Sequence, residues 1–189
     1  WLKVKEAGED RPLIGGERGG LKVSGFDLGN SPLEYTKEMV SGRDLVFCTS
    51  NGTKALKEAD KADEVLVGCF LNLGRLTSYL LAVKKRELVL FCAGSDGKPS
   101  LEDTLCAGAI AQGLFLAGGA SLRLSDQARE AMSDYQGLRG EEIWQALARS
   151  EHGQRLASLG FVDDLRYCGQ IDTHPYLGAY QEGSLRLRV

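Results

Sequence analysis

LVFCTSNGTKALKEADKADEVLVGCF, residues 45–70, decides the reading of the fold. It opens on a continuous β-prone run at residues 45–49 and passes through Ser50-Asn51-Gly52-Thr53. A stretch of helical character follows to about residue 61, and a second β-prone run occupies residues 65–70. Continuous rather than alternating apolar strands, separated by helices, belong in a parallel sheet covered on both faces. The pattern continues outward. Asn72 stands at a cap position before a helix with Leu73, Leu76, Leu80 and Val83 at three- and four-residue spacing, and Lys84, Lys85 and Arg86 suit the negative end of its dipole. Residues 88–93 (LVLFCA) form a third β-prone run, ahead of a nearly all-apolar helix over residues 101–117. Further helices are expected over residues 126–136, with Ala128, Ala131, Met132 and Tyr135 on one face, and over residues 141–159, with Gly160 as the stop signal. Glu182-Gly183 between two short β-prone runs predicts a closing hairpin. The expectation is one α/β domain over residues 1–189: a three-layer α/β/α arrangement around a largely parallel sheet.

Composition sets the outer bounds. A chain of 189 residues has room for a sizeable core, and 43% hydrophobic with 26% charged residues is ordinary for a globular protein. The net charge of −3 offers no global positive field for nucleic acid. No apolar run approaches the roughly 18 residues a membrane span needs, and no stretch at the amino end reads as a signal peptide. The five cysteines (Cys48, Cys69, Cys92, Cys106, Cys168) are odd in number and widely spaced, with no C-x-x-C pair. They suggest buried thiols in a reducing, cytoplasmic setting rather than a disulfide framework or a zinc knuckle. The chain starts at Trp1, without Met, in charged polar sequence.

Three loops could carry chemistry, because ligands of open parallel α/β sheets bind at the carboxyl ends of the strands. Thr49-Ser50-Asn51-Gly52-Thr53 joins small hydroxyls, an amide and a glycine at a helix start, which suits either a phosphate or a plain helix cap. Gly94-Ser95-Asp96-Gly97-Lys98-Pro99-Ser100 leads into Glu102 and Asp103, with Ser100 and Asp103 resembling a capping box. One of the two carboxylates can cap while the other serves Mg²⁺, a cation that takes oxygen ligands. The third is residues 15–34, with six glycines between positions 15 and 29, read as a long loop with few core-forming residues. There Arg18 offers a fork to phosphate, carboxylate or sulfonate, and Asp27 is a candidate metal ligand or nucleophile. Ser31-Pro32-Leu33-Glu34 reads as a capping signature, making Glu34 structural. The distant His152 and His174 have no partner at ligand or triad spacing, and no G-x-S-x-G, Walker A or H-E-x-x-H motif occurs.

GERGG (residues 16–20), GFDLGNSPLEY (25–35), TSNGTKAL (49–56), AGSDGKPSLEDTLCAG (93–108) and SEHGQRLASLGFVDDLRYCGQID (150–172) occur in this order. Together they resemble the 2-phosphosulfolactate phosphatase family. The resemblance implies an Mg²⁺-dependent hydrolysis of phosphosulfolactate to sulfolactate and phosphate, a step of coenzyme M biosynthesis. It suggests a catalytic role for Asp27, Arg18 and Asp164, and substrate or phosphate binding by Arg18, Asn30, Thr49, Asn51, Gly52, Thr53 and Glu151. Metal binding would fall to Asp27, Glu102 and Asp103. Relatives usually begin with an earlier strand and helix that nothing here matches, since residues 1–13 read as the approach to GERGG. An amino-terminal strand and helix missing from this chain are therefore expected.

On this reading Mg²⁺ neutralises the phosphoryl oxygens, while Arg18 and the amides of residues 51–53 stabilise charge growing in the transition state. The attacking group is water or, slightly preferred, Asp27 itself. The expected partner is a small anionic phosphorylated hydroxy acid, with no nucleic acid and no membrane. The closing hairpin either pairs with a second copy in a homo-oligomer or ends the sheet of its own chain. The alternative function is a phosphate- or nucleotide-binding α/β domain without turnover. A dinucleotide-dependent oxidoreductase is disfavoured because no G-x-G-x-x-G follows a predicted strand.

Overall fold

A computed structural model of the chain describes residues 11–83, 87–118, 122–138 and 140–188. The expected basic helix end at Lys84, Lys85 and Arg86, and most of the approach to GERGG, lie outside these residues. The protein is α/β, with its described residues in two compact units, Trp1–Thr53 and Lys54–Val189.

The first unit is built on a strand that the glycine content had hidden. β1 (Leu13–Arg18) pairs antiparallel with β2 (Leu21–Lys22) and parallel with β3 (Leu45–Cys48), which puts it at the centre of a three-stranded sheet. Residues 15–34 are therefore not one long loop. Gly15 and Gly16 lie in the strand because two neighbours come too close for a side chain: a Cβ on Gly15 would meet the Tyr35 hydroxyl, and one on Gly16 would meet the Cys48 carbonyl. Gly16 also holds φ at +136°, which side-chain-bearing residues avoid. Leu13, Ile14 and Leu28 form the buried centre of this unit. The chain folds back so that Leu28 bridges to Gly15, with Asp27 and Leu28 both donating their N–H to the Ile14 carbonyl. A 3₁₀ turn (Pro32–Glu34) follows, with Ser31 as its cap, and then α1 (Lys37–Val40), capped by Thr36. The Glu34 carboxylate accepts the Gly29 N–H at 2.8 Å, the structural role expected of it. α2 (Gly52–Ala59) starts at the end of this unit.

In the second unit β4 (Val65–Val67), β5 (Gly178–Gln181) and β6 (Ser184–Leu187) form an antiparallel sheet in the order β4-β5-β6. The closing hairpin is present, turning at Glu182-Gly183, where both residues hold positive φ. A 3₁₀ turn (Phe70–Asn72) leads into α3 (Leu73–Val83). Asn72 does not cap α3 with its side chain: its carbonyl oxygen accepts the Cys69 N–H, and its amide donates to the Val67 and Tyr176 carbonyls. α4 (Leu101–Gly118) and α5 (Asp126–Gln136) pack closely at Gly108, where a Cβ would strike the Ala131 carbonyl. One buried cluster joins Phe70, Leu105, Ala109, Ile143, Ala146, Leu147 and Leu165; a second joins Leu76, Ile110, Leu114 and Leu177.

Three expectations are corrected. The helix foreseen over residues 141–159 is two, α6 (Ile143–Arg149) and α7 (Glu151–Ser158), because Ser150 at ψ 158° leaves the helical region and caps α7 by accepting the Gly153 N–H. A serine can replace the missing intrahelical partner at such a break, so the helix stops there at little cost. Residues 88–93 carry no strand, with Leu88, Val89 and Phe91 exposed. Parallel pairing is found between β1 and β3, whereas every other strand pair among the described residues is antiparallel. α8 (Val162–Cys168) completes the helices.

Candidate active site

In the first unit the sheet presents Glu17 and Arg18 at the carboxyl end of β1, beside the loop that follows β3. Glu17 is 9% exposed, and its carboxylate accepts from three groups. These are the Ser50 N–H at 2.7 Å, the Gly20 N–H at 2.9 Å and the Ser50 hydroxyl at 3.3 Å. Burial pushes the Glu17 pKa up, but these hydrogen bonds and the nearby Arg18 charge together hold it below the usual carboxylate value. Arg18 is exposed, with Nη2 3.6 Å from Cys48 Sγ. In the adjoining loop Thr49 Oγ1 accepts the Thr53 N–H at 3.4 Å, and the Thr53 hydroxyl donates to the Thr49 carbonyl at 2.9 Å. Thr49, Asn51, Gly52 and Thr53 are all half-buried, while Asn30 is exposed on the neighbouring turn. The cap and the anion-cradle readings of this loop are compatible. The hydroxyls shape the turn, with the Thr53 N–H turned back to Thr49 at the start of α2.

Asp27 is engaged differently from what its two expected roles need. Arg11 holds it with both guanidinium nitrogens, Nη2 to Oδ1 at 2.6 Å and Nη1 to Oδ2 at 2.7 Å. The Ile14 N–H adds a third hydrogen bond to Oδ2 at 2.9 Å. The Arg11 hydrogen bonds, against a smaller opposing effect of burial, bring its pKa down to about 2. A carboxylate this anionic is a poor base, and a guanidinium across both oxygens stands where a metal ion or an electrophilic phosphorus would approach.

The second unit holds the other carboxylates. Glu102, in the first turn of α4, is half-buried; its Oε2 accepts the Ser100 hydroxyl at 2.7 Å and its Oε1 is bonded to the Ser150 hydroxyl. Burial raises its pKa, but the Ser150 bond, its own backbone N–H, Ser100 and the His152 charge outweigh it, and Glu102 stays below its usual value. Ser100 caps α4, accepting the Asp103 N–H at 3.3 Å, but Asp103 does not close a capping box. Its Oδ2 accepts the Gly94 N–H at 2.7 Å, tying the glycine loop to the helix. Through Ser150 the structure brings Glu102 to the start of α7, where Glu151 and His152 are exposed. Asp164 is half-buried in the first turn of α8.

Among the described residues no group of three or more His, Cys, Asp and Glu is gathered to hold a metal ion. Mg²⁺ does not require one: it binds through one or two carboxylates, completed by water and substrate phosphate. Glu102 and Asp103, adjacent oxygen donors at one helix start, fit that chemistry, whereas Asp27 under Arg11 does not.

Sequence reasoning missed Arg11, Glu17 and Ser150. A carboxylate two glycines after the Leu13-Ile14 pair was the available signal for Glu17, and the serine before Glu151 that for Ser150. Both ring nitrogens of His174 are engaged, with Tyr167 Oη at 2.9 Å and Thr173 Oγ1 at 3.0 Å. Burial pushes the Cys106 thiol up to about 12 and the Cys168 thiol to about 11, against any role as a thiolate nucleophile. No helix of the described residues is long and apolar enough to cross a membrane.

A protein of Carboxydothermus hydrogenoformans named "Probable 2-phosphosulfolactate phosphatase" is 42% identical over 186 residues, covering 97% of this chain and 74% of its own. Proteins of the same name from Caldanaerobacter subterraneus subsp. tengcongensis and Thermotoga petrophila are 36% identical over 183 residues and 42% identical over 162. These cover 96% and 85% of this chain, and 74% and 66% of the relatives. The family profile described as 2-phosphosulpholactate phosphatase matches residues 2–183, so the chain belongs to that family.

Proposed function

We propose that this chain hydrolyses 2-phosphosulfolactate, or a closely related 2-phospho hydroxy acid, to the free hydroxy acid and phosphate, with Mg²⁺, as a step toward coenzyme M. The family match over residues 2–183 carries this reading. The exposed Arg18 beside the half-buried loop of residues 49–53 supports it, since that pairing suits an anion with several charged groups. In the first unit Arg18 would take the sulfonate, carboxylate or phosphate by a two-pronged contact, with the Gly52 N–H and the Thr49 hydroxyl offered to a second oxyanion. The Thr49–Thr53 hydrogen bonds hold the loop in shape before the substrate arrives, so charge developing on an oxyanion there would meet backbone dipoles that need little rearrangement. Glu102 and Asp103, which belong to the second unit, are the residues that would hold Mg²⁺, a cation that would supply charge neutralisation. Ser100 and Ser150 keep the Glu102 carboxylate ionised and oriented for that task. With Asp27 held by Arg11, the attacking group is water rather than Asp27; Asp164 and Glu151 keep, on this reading, the catalytic and substrate-binding roles that the family resemblance suggests.

Phosphate release from 2-phosphosulfolactate and 2-phospholactate, with Mg²⁺ and with EDTA, tests this. Metal-dependent release is expected, faster for the sulfonate. Stabilisation by the substrate without any release would instead make the chain a binding module.

A further inference from the structure

A buried carboxylate without a cationic partner is an expensive way to satisfy backbone donors. Glu17 is one: it is 9% exposed, and among the described residues it enters no ion pair within 4 Å. Its three donors come from two different places. Gly20 closes the turn Arg18-Gly19-Gly20, in which Gly19 and Gly20 hold φ at 61° and 81°. Ser50 opens the loop that runs to Thr53. One carboxylate therefore fastens the turn bearing Arg18 to the loop of residues 50–53. It also fills, with the protein's own negative charge, a seat of two N–H groups and a hydroxyl that would otherwise attract an incoming anion.

We propose that Glu17 is a positioning residue for anion recognition, an internal anion that sets the spacing between Arg18 and residues 51–53 and keeps the substrate out of the Gly20–Ser50 seat. This rests on the phosphatase reading of the same loops, and it adds a residue to the recognition of the substrate rather than to the chemical step. The neutral variant Glu17→Gln is the sharp test. Its amide retains one acceptor but turns an NH₂ toward a backbone N–H, so one of the two amides loses its partner.

For 2-phosphosulfolactate, Glu17→Gln raises KM about tenfold, the weight of one charge-assisted hydrogen bond, and changes kcat less than about threefold. Arg18→Ala costs less in KM on the Glu17→Gln background than on the wild type, because the arginine is already displaced. An unchanged KM, or effects that multiply independently, overturns the proposal. Should Glu17→Gln fail to fold, Ser50→Ala removes the hydroxyl contact alone and raises KM by about threefold; an unchanged value there overturns it too. Calorimetric binding of inorganic phosphate separates this idea from the function it rests on. A wild type that binds phosphate but releases none from any substrate sinks the phosphatase reading. Equal phosphate affinity in wild type and Glu17→Gln sinks the role of Glu17.

Discussion

Residues 13–18 and residues 88–93 exchange the positions that their compositions suggest. LIGGER, with two adjacent glycines and two charges, is the central strand of its sheet, with its first five residues buried. LVLFCA, with hardly a polar atom in its side chains, carries no strand and leaves Leu88, Val89 and Phe91 at 46%, 71% and 53% exposure. β propensity measures how well a side chain sits on a pleated, half-buried surface, so it has force only where such a surface exists. At β1 the neighbours are close enough that only glycine fits, and hydrogen bonding to β2, β3 and the Leu28 turn supplies what side-chain packing does not.

The harshest way to break this contrast is Gly16→Val. The new side chain strikes the Cys48 carbonyl and forces a β-branched residue to φ +136°, so a loss of about 3–5 kcal/mol is expected, read by urea unfolding. A near-neutral effect would mean that β1 does not lie against β3 in solution.

Second in size is Asp27→Asn, which removes the bidentate partner of Arg11 beside β1. The Asp27 pKa is depressed from 3.8 to about 2, so its stabilising contribution is complete above the unfolded value and lost as pH falls through the folded one. The variant is expected to melt below wild type at neutral pH, with the gap narrowing between about pH 4 and pH 2. Turnover should stay within about tenfold of wild type if water attacks, whereas a loss of about a thousandfold or more would restore Asp27 as nucleophile.

Glu102→Gln comes third. It keeps an acceptor oxygen for one of the two serine hydroxyls, sets an NH₂ against the other and removes the charge, so about tenfold more Mg²⁺ is expected for half-maximal activity, with a modest fall in melting temperature. An unchanged Mg²⁺ requirement would take Glu102 out of the metal site.

The mildest is Val89→Lys. At 71% exposure this substitution should alter stability by less than about 0.5 kcal/mol. A loss of several times that would show residues 88–93 to be covered in solution, and the contrast with β1 would fail.

The parts of the fold legible in the sequence are those whose signals are local. The helix Asp126–Gln136 is found with its expected bounds, because Ser125 announces its start and Ala131 lies on its buried face. The Glu182-Gly183 turn fixes its hairpin in the same way. Ser31, Glu34 and Ser100 also cap or brace the segments where their spacing placed them. The break at Ser150 was missed although residues 149–155 (RSEHGQR) interrupt the apolar pattern; what ends α6 is the Gly153 N–H bonding to the Ser150 hydroxyl in place of the helix ladder. In the site, Arg18, Thr49 and Glu102 could be picked out by residue type. Their partners could not: a carboxylate at position 27 reads as chemistry until Arg11 is seen across it.

The sequence by itself determined the α/β class, the approximate limits of α2 to α5, the closing hairpin and, through five ordered blocks, the family. All of these depend on patterns within a few residues or on inherited order. Only the tertiary structure decided that a glycine-rich run is a buried strand, that Asp27 belongs to Arg11, and that Glu17 binds two loops together. Each of these depends on contacts between residues 16 to 33 positions apart, and such contacts leave no periodicity in the chain to be read.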